Sequence, residues 1–261
     1  MSTMSLALAD SATMVRRQIT HMRRYPSLIL QLVGTPVVFL LLFVYVFGGT
    51  LGNGLGSGSG GRGAYVDYVA PGILMMAVAA VAMGTAISVA MDMTEGIVAR
   101  FKSMAIARVS VLTGHVVGAM VQTAVAVAVV VGVALAIGFR PNASVLEWVA
   151  AAGVVAMIAF ALTWLSVAMG LAAKTVESAS NLPQPLVFLP FLGSGFVPTD
   201  SMPVGLRWFA EYQPFTPIME TIRGLLLGTG IGSSGIAAAA WSAGIALVGY
   251  LWARKLYNRQ A

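Results

Sequence analysis

The chain has 261 residues, of which 58% are apolar and only 9% are charged. Because an average soluble domain carries about 25% charged residues, this composition excludes an ordinary soluble protein and predicts an all-α integral membrane protein. The absence of cysteine excludes disulfide bonds, and two distant histidines argue against a histidine metal site. The net charge of +6 comes from short Lys and Arg clusters between apolar runs, a pattern typical of membrane topology rather than nucleic-acid binding.

The first 25 residues are basic and precede the first long apolar run. Val15, Ile19 and Met22 recur at helical spacing, and arginines lie beside that stripe. This pattern predicts an amphipathic N-terminal helix, residues 1–25, that lies in the membrane interface and attracts anionic lipid. A frayed basic tail is the alternative. A cleaved signal peptide is disfavoured because the apolar run that follows is too long for one.

Six apolar segments then recur, and at 1.5 Å per residue each can cross a hydrocarbon core of about 30 Å. They predict a single domain of six transmembrane helices over the whole chain, 1–261. The predicted spans are residues 26–48, 66–92, 109–139, 146–173, 178–199 and 236–254. The Gly- and Ser-rich stretch 48–63 predicts a flexible linker, since it lacks the GxxxxGK(S/T) pattern of a phosphate-binding loop.

Lysine and arginine are distributed unequally between the two sets of loops. With six spans, both termini lie on the same side as residues 92–108 and 174–177. These segments carry eleven Lys and Arg together, against four in the segments on the opposite side. Because positively charged loops stay in the cytoplasm, both termini are predicted to be cytoplasmic.

The loop between the second and third spans predicts a short cytoplasmic helix, residues 93–108. Thr94 can cap this helix, and Glu95 suits its positive first turn. Ile97, Phe101 and Met104 form one apolar stripe, while Arg100, Lys102 and Arg108 face water. A helix pinned between two spans can transmit a push from a docked partner, and a plain interfacial loop helix is the alternative.

Residues 181–223 hold seven of the eleven prolines. Since an interior proline costs a helix about 3 kcal/mol, this density predicts broken backbone at membrane depth. Such breaks persist only where protein or a water-filled cavity satisfies the freed backbone groups. We predict a spanning helix over residues 178–199 and a re-entrant helical segment over 200–228, with a kinked helix and an ordinary loop as the alternative. In the re-entrant segment, Glu220 and Arg223 have the spacing of an ion pair across one turn.

Polar side chains are sparse within the predicted spans. Gln31, Thr35, Ser88 and Gln122 are candidates either for contacts with a transported molecule or for hydrogen bonds between helices. His115 lies close to the cytoplasmic end of the third span, so an interfacial histidine is favoured over a functional one.

Four features together resemble the permeases of type-2 ABC exporters, and among them the daunorubicin-resistance-type drug and lipid permeases of actinobacteria. Two are the basic N-terminal helix and the charged helix 93–108. The other two are the specific signal: FLGSGFVPTDSMP at 191–203 and WFAEYQPFTPIMETIRGLLLG at 208–228. The resemblance covers nearly the whole chain, and the Gly-rich stretch is its least typical part. Residues 96–99 also depart from it, because relatives commonly carry a denser charged run there, of the kind REKGTLE.

The resemblance implies a permease subunit in a bacterial cytoplasmic (inner) membrane that exports hydrophobic or amphipathic drugs or lipids. It implies a homodimer or a pair with a sister permease, with two copies of a cytoplasmic ABC ATPase beneath. ATP and Mg would bind to that ATPase. This chain lacks a Walker A lysine, so it is expected to bind no cofactor and to be no enzyme itself. Membrane lipids are expected partners and nucleic acid is not.

The resemblance also assigns roles to particular residues. The contact with the ATPase would be made by Glu95, Ile97, Arg100, Phe101, Lys102 and Met104. The exit segment would contain Pro198, Pro203, Trp208, Pro214, Pro217, Glu220 and Arg223. Spans one, two and five would line the substrate path. Candidate contacts along this path are Gln31, Thr35, Ser88, Phe188 and Phe191, together with Gln122 on the third span.

Two other classes of protein were weighed against the sequence. An ion-coupled secondary transporter normally places ionisable residues at mid-membrane, and no Asp, Glu, Lys or Arg lies well inside a predicted span. An intramembrane enzyme is disfavoured because HExxH, paired membrane carboxylates and GxSxG are absent from the sequence. The choice between drug and lipid, and between identical and different permease halves, stays open at this stage.

Overall fold

The structure, a computed structural model, describes residues 26–55, 61–94 and 108–259. The described residues form helices and no strand, which confirms the all-α prediction. The predicted interfacial helix over residues 1–25 lies outside the described part of the chain. So do residues 95–107 of the predicted coupling helix.

The first helical element changes its winding partway along. It consists of α1 (Pro26–Leu42), a π-helical turn (Phe43–Phe47) and α2 (Gly48–Asn53). The helices that follow are α3 (Arg62–Thr94), α4 (Arg108–Ala136), α5 (Val145–Ala172), α6 (Val176–Asn181), α7 (Gln184–Phe188), α8 (Val204–Tyr212), α9 (Phe215–Leu227) and α10 (Ser234–Arg259). Short 3-10 turns occur at Leu189–Leu192 and Thr199–Ser201.

Among the described residues, five helices are long and apolar enough to cross a membrane. They are Leu32–Asn53, Arg62–Thr94, Leu112–Ala136, Val145–Ala172 and Ser234–Asn258. The predicted fifth span, residues 178–199, is not one continuous helix. It is divided into α6, α7 and the first 3-10 turn, because its prolines interrupt the backbone hydrogen bonds. The predicted break is therefore present where the sequence places it.

Helix α3 forms the centre of the bundle. Within its most apolar stretch, 72% of the residues are buried by other parts of the chain, against 22–33% in the four other long helices. Its Ala, Gly and Val residues let neighbouring helices approach closely. Helices α1, α4, α5 and α9 therefore pack around α3, whereas α10 packs on α5 and α9.

One end of the bundle is named the Thr94 end, because α3 ends there. His115 near the start of α4 lies 3.1 Å from Asp92, two residues before the end of α3. A separate apolar cluster at this end contains Val89, Leu112, Val116, Val167, Ala168, Leu171, Ala253 and Tyr257. The start of α4 and the last turns of α5 and α10 therefore meet at the Thr94 end.

The opposite end is named the Arg62 end, after the first residue of α3. The backbone N–H of Arg140, after α4, donates to the Asp67 carboxylate at 3.1 Å. The backbone N–H of Asn142 donates to the carbonyl of Leu226 at 3.0 Å, which places the end of α9 beside the α4–α5 loop. This end therefore gathers the α4–α5 loop and the last turn of α9.

The prolines of residues 181–223 occur mainly where helical elements begin. Pro198, Pro203 and Pro214 are the N-cap residues of the second 3-10 turn, α8 and α9, and Pro217 lies in the first turn of α9. Proline is tolerated there because the first N–H groups of a helix have no partner within it. Instead of one long helix, the sequence therefore produces a series of short ones.

Several predicted boundaries differ from the observed ones. The stretch predicted to be a linker from residue 48 is helical as far as Asn53, so the first helix is about one and a half turns longer than expected. Helix α4 ends at Ala136 rather than 139, and Gly138 then adopts a positive φ of 115°. Helix α5 starts at Val145 because Ser144 and Glu147 form a capping box that satisfies its first N–H groups.

Candidate functional site

Residues 176–197, named the broken segment, follow α3 from the Thr94 end to the Arg62 end. Just before it, Gly170 of α5 packs so closely on α3 that a Cβ would lie 2.5 Å from the Ala86 carbonyl oxygen. Near its other end, the Tyr65 hydroxyl donates to the Phe196 carbonyl at 3.2 Å. Between Tyr65 and Ala86, α3 rises by about 30 Å at 1.5 Å per residue, which is about the thickness of a hydrocarbon core.

The turn at residues 193–197 is not helical, and it lies buried against α3. The contact is closest at Gly72, where a Cβ would lie 2.6 Å from the carbonyl oxygen of Gly195. Glycine at both positions lets two backbones approach in the way that small residues permit in membrane helix pairs. The hydrogen bond from Tyr65 satisfies the Phe196 carbonyl that this turn leaves outside a helix.

Two polar side chains of the α8–α9 corner form hydrogen bonds to this turn and to the 3-10 turn that precedes it. Thr216 accepts a hydrogen bond from the Ser194 N–H at 3.2 Å and donates to the Ala210 carbonyl at 2.5 Å. Gln213 donates to the Leu189 carbonyl at 3.2 Å. Both side chains are buried. They therefore supply hydrogen bonds that water would otherwise make to the backbone groups of this irregular region.

Arg223 of α9 connects the turn to α3. Its Nη2 donates to the carbonyls of Ser194, at 2.7 Å, and Tyr68, at 3.1 Å. Its guanidinium carbon also lies 4.0 Å from the centre of the Tyr68 ring, a cation–π geometry. The predicted ion pair with Glu220 is wrong. Within the described chain Glu220 accepts a hydrogen bond from the Ser234 hydroxyl at 2.9 Å instead, because Arg223 points towards the carbonyls of the turn.

Helix α8 lies on the surface of the described chain. All its residues except Ala210 are exposed, including Trp208 at 67%. On its charged side, Arg207 pairs with Asp200 at 2.6 Å and with Glu211 at 2.7 Å. The hydrogen bond from Arg207 to Glu211 and the nearby Asp200 carboxylate raise the pKa of Arg207 above its usual value. Trp208 and the other predicted exit residues all lie between Pro198 and Arg223, in the elements on either side of the α8–α9 corner.

An aromatic cluster lies between the first helical element and the broken segment. It consists of Phe39, Phe43, Phe47, Phe191 and Phe196. Phe191 and Phe196 stack with ring centres 4.4 Å apart, and Phe43 lies 4.6 Å from Phe196. Phe43 belongs to the π-helical turn, a local winding often found at functional sites. The structure thus brings the predicted path residue Phe191 together with phenylalanines that the sequence analysis did not single out.

The other predicted path residues are spread along the bundle. Phe188 is 54% exposed, and Thr35 is also exposed. Ser88 and Gln122 are half-buried on α3 and α4, and no hydrogen bond in the described chain joins them to a neighbour. Gln31 lies in α1, and its side chain is outside the described part. Of the predicted path set, only Phe191 has a described aromatic contact with another element.

The residues predicted to contact an ATPase lie outside the described residues. They are Glu95, Ile97, Arg100, Phe101, Lys102 and Met104. The described helix ends on either side of them, the end of α3 and the start of α4, contain Asp92 and His115. His115 is only 8% exposed. The prediction that His115 is interfacial overlooked this partner. The available signal was that Asp92 and His115 are ionisable residues close to the two helix ends that one loop connects.

The chemistry that the described side chains offer at the Arg62 end is apolar contact. No three His, Asp or Glu side chains in the described ranges come together in a way that could hold a metal ion. What the Arg62 end offers is an aromatic surface beside a buried, hydrogen-bonded turn. Such a surface can contact an apolar molecule without reacting with it.

The sequence was compared with known families and proteins. A profile of the ABC-2 type transporter family matches residues 11–227. The daunorubicin resistance ABC transporter permease protein DrrB1 of Streptomyces coeruleorubidus is 27% identical over 244 residues, which cover 92% of this chain and 81% of that protein. The probable doxorubicin resistance ABC transporter permease protein DrrC of Mycobacterium tuberculosis (strain ATCC 25618 / H37Rv) is 26% identical over 254 residues, covering 93% and 86% respectively.

Proposed function

The chain belongs to the ABC-2 type transporter family, and we propose that it is the membrane permease subunit of an exporter for hydrophobic or amphipathic drugs or lipids. The observation that carries the proposal is the family match over residues 11–227. This continuous stretch includes the predicted coupling loop, the broken segment and helices α8 and α9. The matched relatives are named as drug-resistance permeases, which favours a drug over a lipid as the first substrate to test.

The proposal includes six membrane crossings, with the broken segment as the fifth. Its support is the path of residues 170–197, the end of α5 and the broken segment, along about 30 Å of α3. Freed carbonyls along that path accept hydrogen bonds from Tyr65, Gln213 and Arg223, which is the condition for irregular backbone at membrane depth. With six crossings, the excess of Lys and Arg favours a cytoplasmic position for the Thr94 end and both termini, in a bacterial inner membrane.

Energy would come from a separate ABC ATPase that binds ATP and Mg on the cytoplasmic side. This chain would hydrolyse no ATP itself. Its contact with the ATPase would be the loop 95–107, through the predicted residues Glu95, Ile97, Arg100, Phe101, Lys102 and Met104. Two ATPase copies would serve two permease halves, either identical or sister chains.

The substrate would move past the aromatic cluster and leave near the α8–α9 corner. Phe191 is the member of the predicted path whose surroundings support this role best, because it stacks on Phe196 and faces Phe39. Gln31, Thr35, Ser88, Gln122 and Phe188 remain proposed contacts along the same route. An apolar, aromatic wall fits hydrophobic substrates better than ions or sugars.

Topology can be tested by thiol labelling, because the chain contains no cysteine. Lys174→Cys lies before the broken segment and Ser233→Cys lies after α9, and both positions are exposed. A membrane-impermeant maleimide should label Ser233→Cys in intact cells and Lys174→Cys only after permeabilisation. Labelling of both positions from the same side would contradict the fifth crossing.

Function can be tested by co-purification followed by transport. The chain, tagged after Ala261, should bring down an ATPase with Walker motifs from mildly solubilised membranes. Reconstituted together, the two proteins should move doxorubicin, or an NBD-labelled phospholipid, only when ATP is present and the Walker lysine of the partner is intact. Transport that persists without ATP and stops with a proton ionophore would support the ion-coupled alternative instead.

A further inference from the structure

The most unusual group at the Thr94 end is a buried pair of ionisable side chains. Nε2 of His115 lies 3.1 Å from Oδ2 of Asp92, and the two residues are 8% and 9% exposed. They belong to α4 and α3, the two helices that residues 95–107 connect. These two helix ends are therefore the points where that loop is covalently joined to the bundle.

The fold itself does not require an ionic pair at this position. Around the α3–α4 contact, both backbones are helical and satisfy their own hydrogen bonds. An apolar cluster with Val89, Leu112 and Val116 already packs there. Removing a carboxylate and an imidazole from water is costly, and well-packed apolar residues of similar volume often serve stability equally well. The pair therefore calls for an explanation other than stability.

A polar contact differs from an apolar one in having a direction and a fixed length. Apolar surfaces can slide over each other at little cost, since burial depends on area and not on orientation. A hydrogen-bonded pair holds two helices at one register. Coupling between distant sites travels through such packed and hydrogen-bonded elements.

We propose that Asp92 and His115 lock the ends of α3 and α4 into one rigid body, so that movement of loop 95–107 reaches both helices together. This inference rests on the proposed function, in which that loop contacts the ATPase. Helix α3 lies at the centre of the bundle and also carries Tyr65, Tyr68 and Gly72, the contacts of the buried turn at its other end. A push on the pair would thus act along the helix that holds the exit region. Asp92 and His115 are positioning residues and contact no substrate in this scheme.

The first test separates coupling from stability with a double variant, Asp92→Leu with His115→Leu, reconstituted with the ATPase. Replacing both members removes the buried carboxylate together with the imidazole, so the protein should fold and bind the ATPase as the wild type does. Doxorubicin exported per ATP hydrolysed should fall about tenfold, within the usual range of coupling energies. The exchanged pair, Asp92→His with His115→Asp, should recover most of it. Thr163→Val is the matched control, because in the described part of the chain this buried hydroxyl donates to the Ala159 carbonyl of its own helix, α5.

The second test replaces the pair by a covalent link. In this cysteine-free chain, Asp92→Cys with His115→Cys introduces the only two thiols, and a short bifunctional thiol reagent can join them. Before linking, export per ATP should be low; after linking, it should rise towards the wild-type value in the same protein. Wild-type coupling in the double leucine variant, or export that stops on linking, would overturn the proposal. Failure to co-purify the ATPase would instead count against the proposed function.

Discussion

At the Arg62 end of the bundle, non-helical backbone is buried, and side chains distant in sequence satisfy its hydrogen bonds. At the Thr94 end, the described parts of the helices meet through apolar packing and the contact of Asp92 with His115. Tyr65 reaches Phe196, and Arg223 reaches Tyr68. The Asp92–His115 contact joins two helix ends that are separated by a single loop. Both ends are attached to α3, so the difference does not arise from different scaffolds.

This difference follows from what each end must bury. Where prolines interrupt the broken segment, carbonyl groups lose their helical partners, and in a membrane they need replacements from the protein. The polar side chains at the Arg62 end are therefore a requirement of the fold. At the Thr94 end the helices satisfy their own backbones, so the polar pair is additional to the fold. Substitutions should accordingly have different signatures at the two ends.

The largest effect on stability is expected from replacing only one member of the Asp92–His115 pair. His115→Leu leaves the Asp92 carboxylate buried without its imidazole, and it should lower the free energy of unfolding by about 3–5 kcal/mol. The measurement is loss of helical circular dichroism during titration of detergent-solubilised protein with SDS. The double variant with Asp92→Leu should recover most of that loss. If single and double variants were equally unstable, the pair would be part of the fold after all and the contrast between the two ends would fail.

The sequence predicted the parts of this molecule that depend on neighbours along the chain. Apolar length identified the five continuous helices, and proline density identified the break in the fifth apolar segment. The predicted start of α5, residue 146, lies within one residue of the observed start, which a local capping box of Ser144 and Glu147 fixes. These features are set within one or two helical turns, so a single sequence contains the necessary information.

The features that the sequence did not predict depend on three-dimensional neighbours. Glu220 and Arg223 have the spacing of an ion pair, yet the carbonyls of a distant turn attract Arg223 more strongly than its local partner does. The aromatic cluster required knowledge of which helix faces the broken segment. His115 was assigned to the interface because periodicity does not reveal that Asp92 lies opposite it. Local rules fail here because the partners come from other elements.

At the Arg62 end, Arg223→Met should have the next largest effect. This substitution removes the charged guanidinium and the two hydrogen bonds that it donates. It should lower the free energy of unfolding by about 2–3 kcal/mol in the same SDS titration. Arg207→Met is the matched control, an exposed arginine with two surface ion pairs, and should cost less than about 1 kcal/mol. If Arg223→Met and Arg207→Met lowered the free energy of unfolding equally, the hydrogen bonds of Arg223 to the carbonyls would add nothing to the effect of losing an arginine charge.

A smaller effect is expected where the turn touches α3 without polar groups. Gly72→Ala places a methyl group 2.6 Å from the Gly195 carbonyl oxygen, and the required shift should cost about 1–3 kcal/mol. Gly132→Ala in α4 meets open space and should be neutral or stabilising by up to about 1 kcal/mol, because alanine favours helix. The pair of measurements separates crowding of the turn from the general effect of replacing glycine.

The smallest effect should come from a single hydroxyl. Tyr65→Phe keeps the buried ring and removes only the donor to the Phe196 carbonyl, so it should cost about 1 kcal/mol. Tyr68→Phe keeps an aromatic ring beneath Arg223. Because the Tyr68 hydroxyl makes no hydrogen bond in the described chain, this substitution should change the free energy of unfolding by less than about 0.5 kcal/mol. If the two variants behaved alike, water would be satisfying the Phe196 carbonyl in place of Tyr65. The turn would then lie against a water-filled cavity, and the polar side chains of the Arg62 end would serve the transport path rather than the fold.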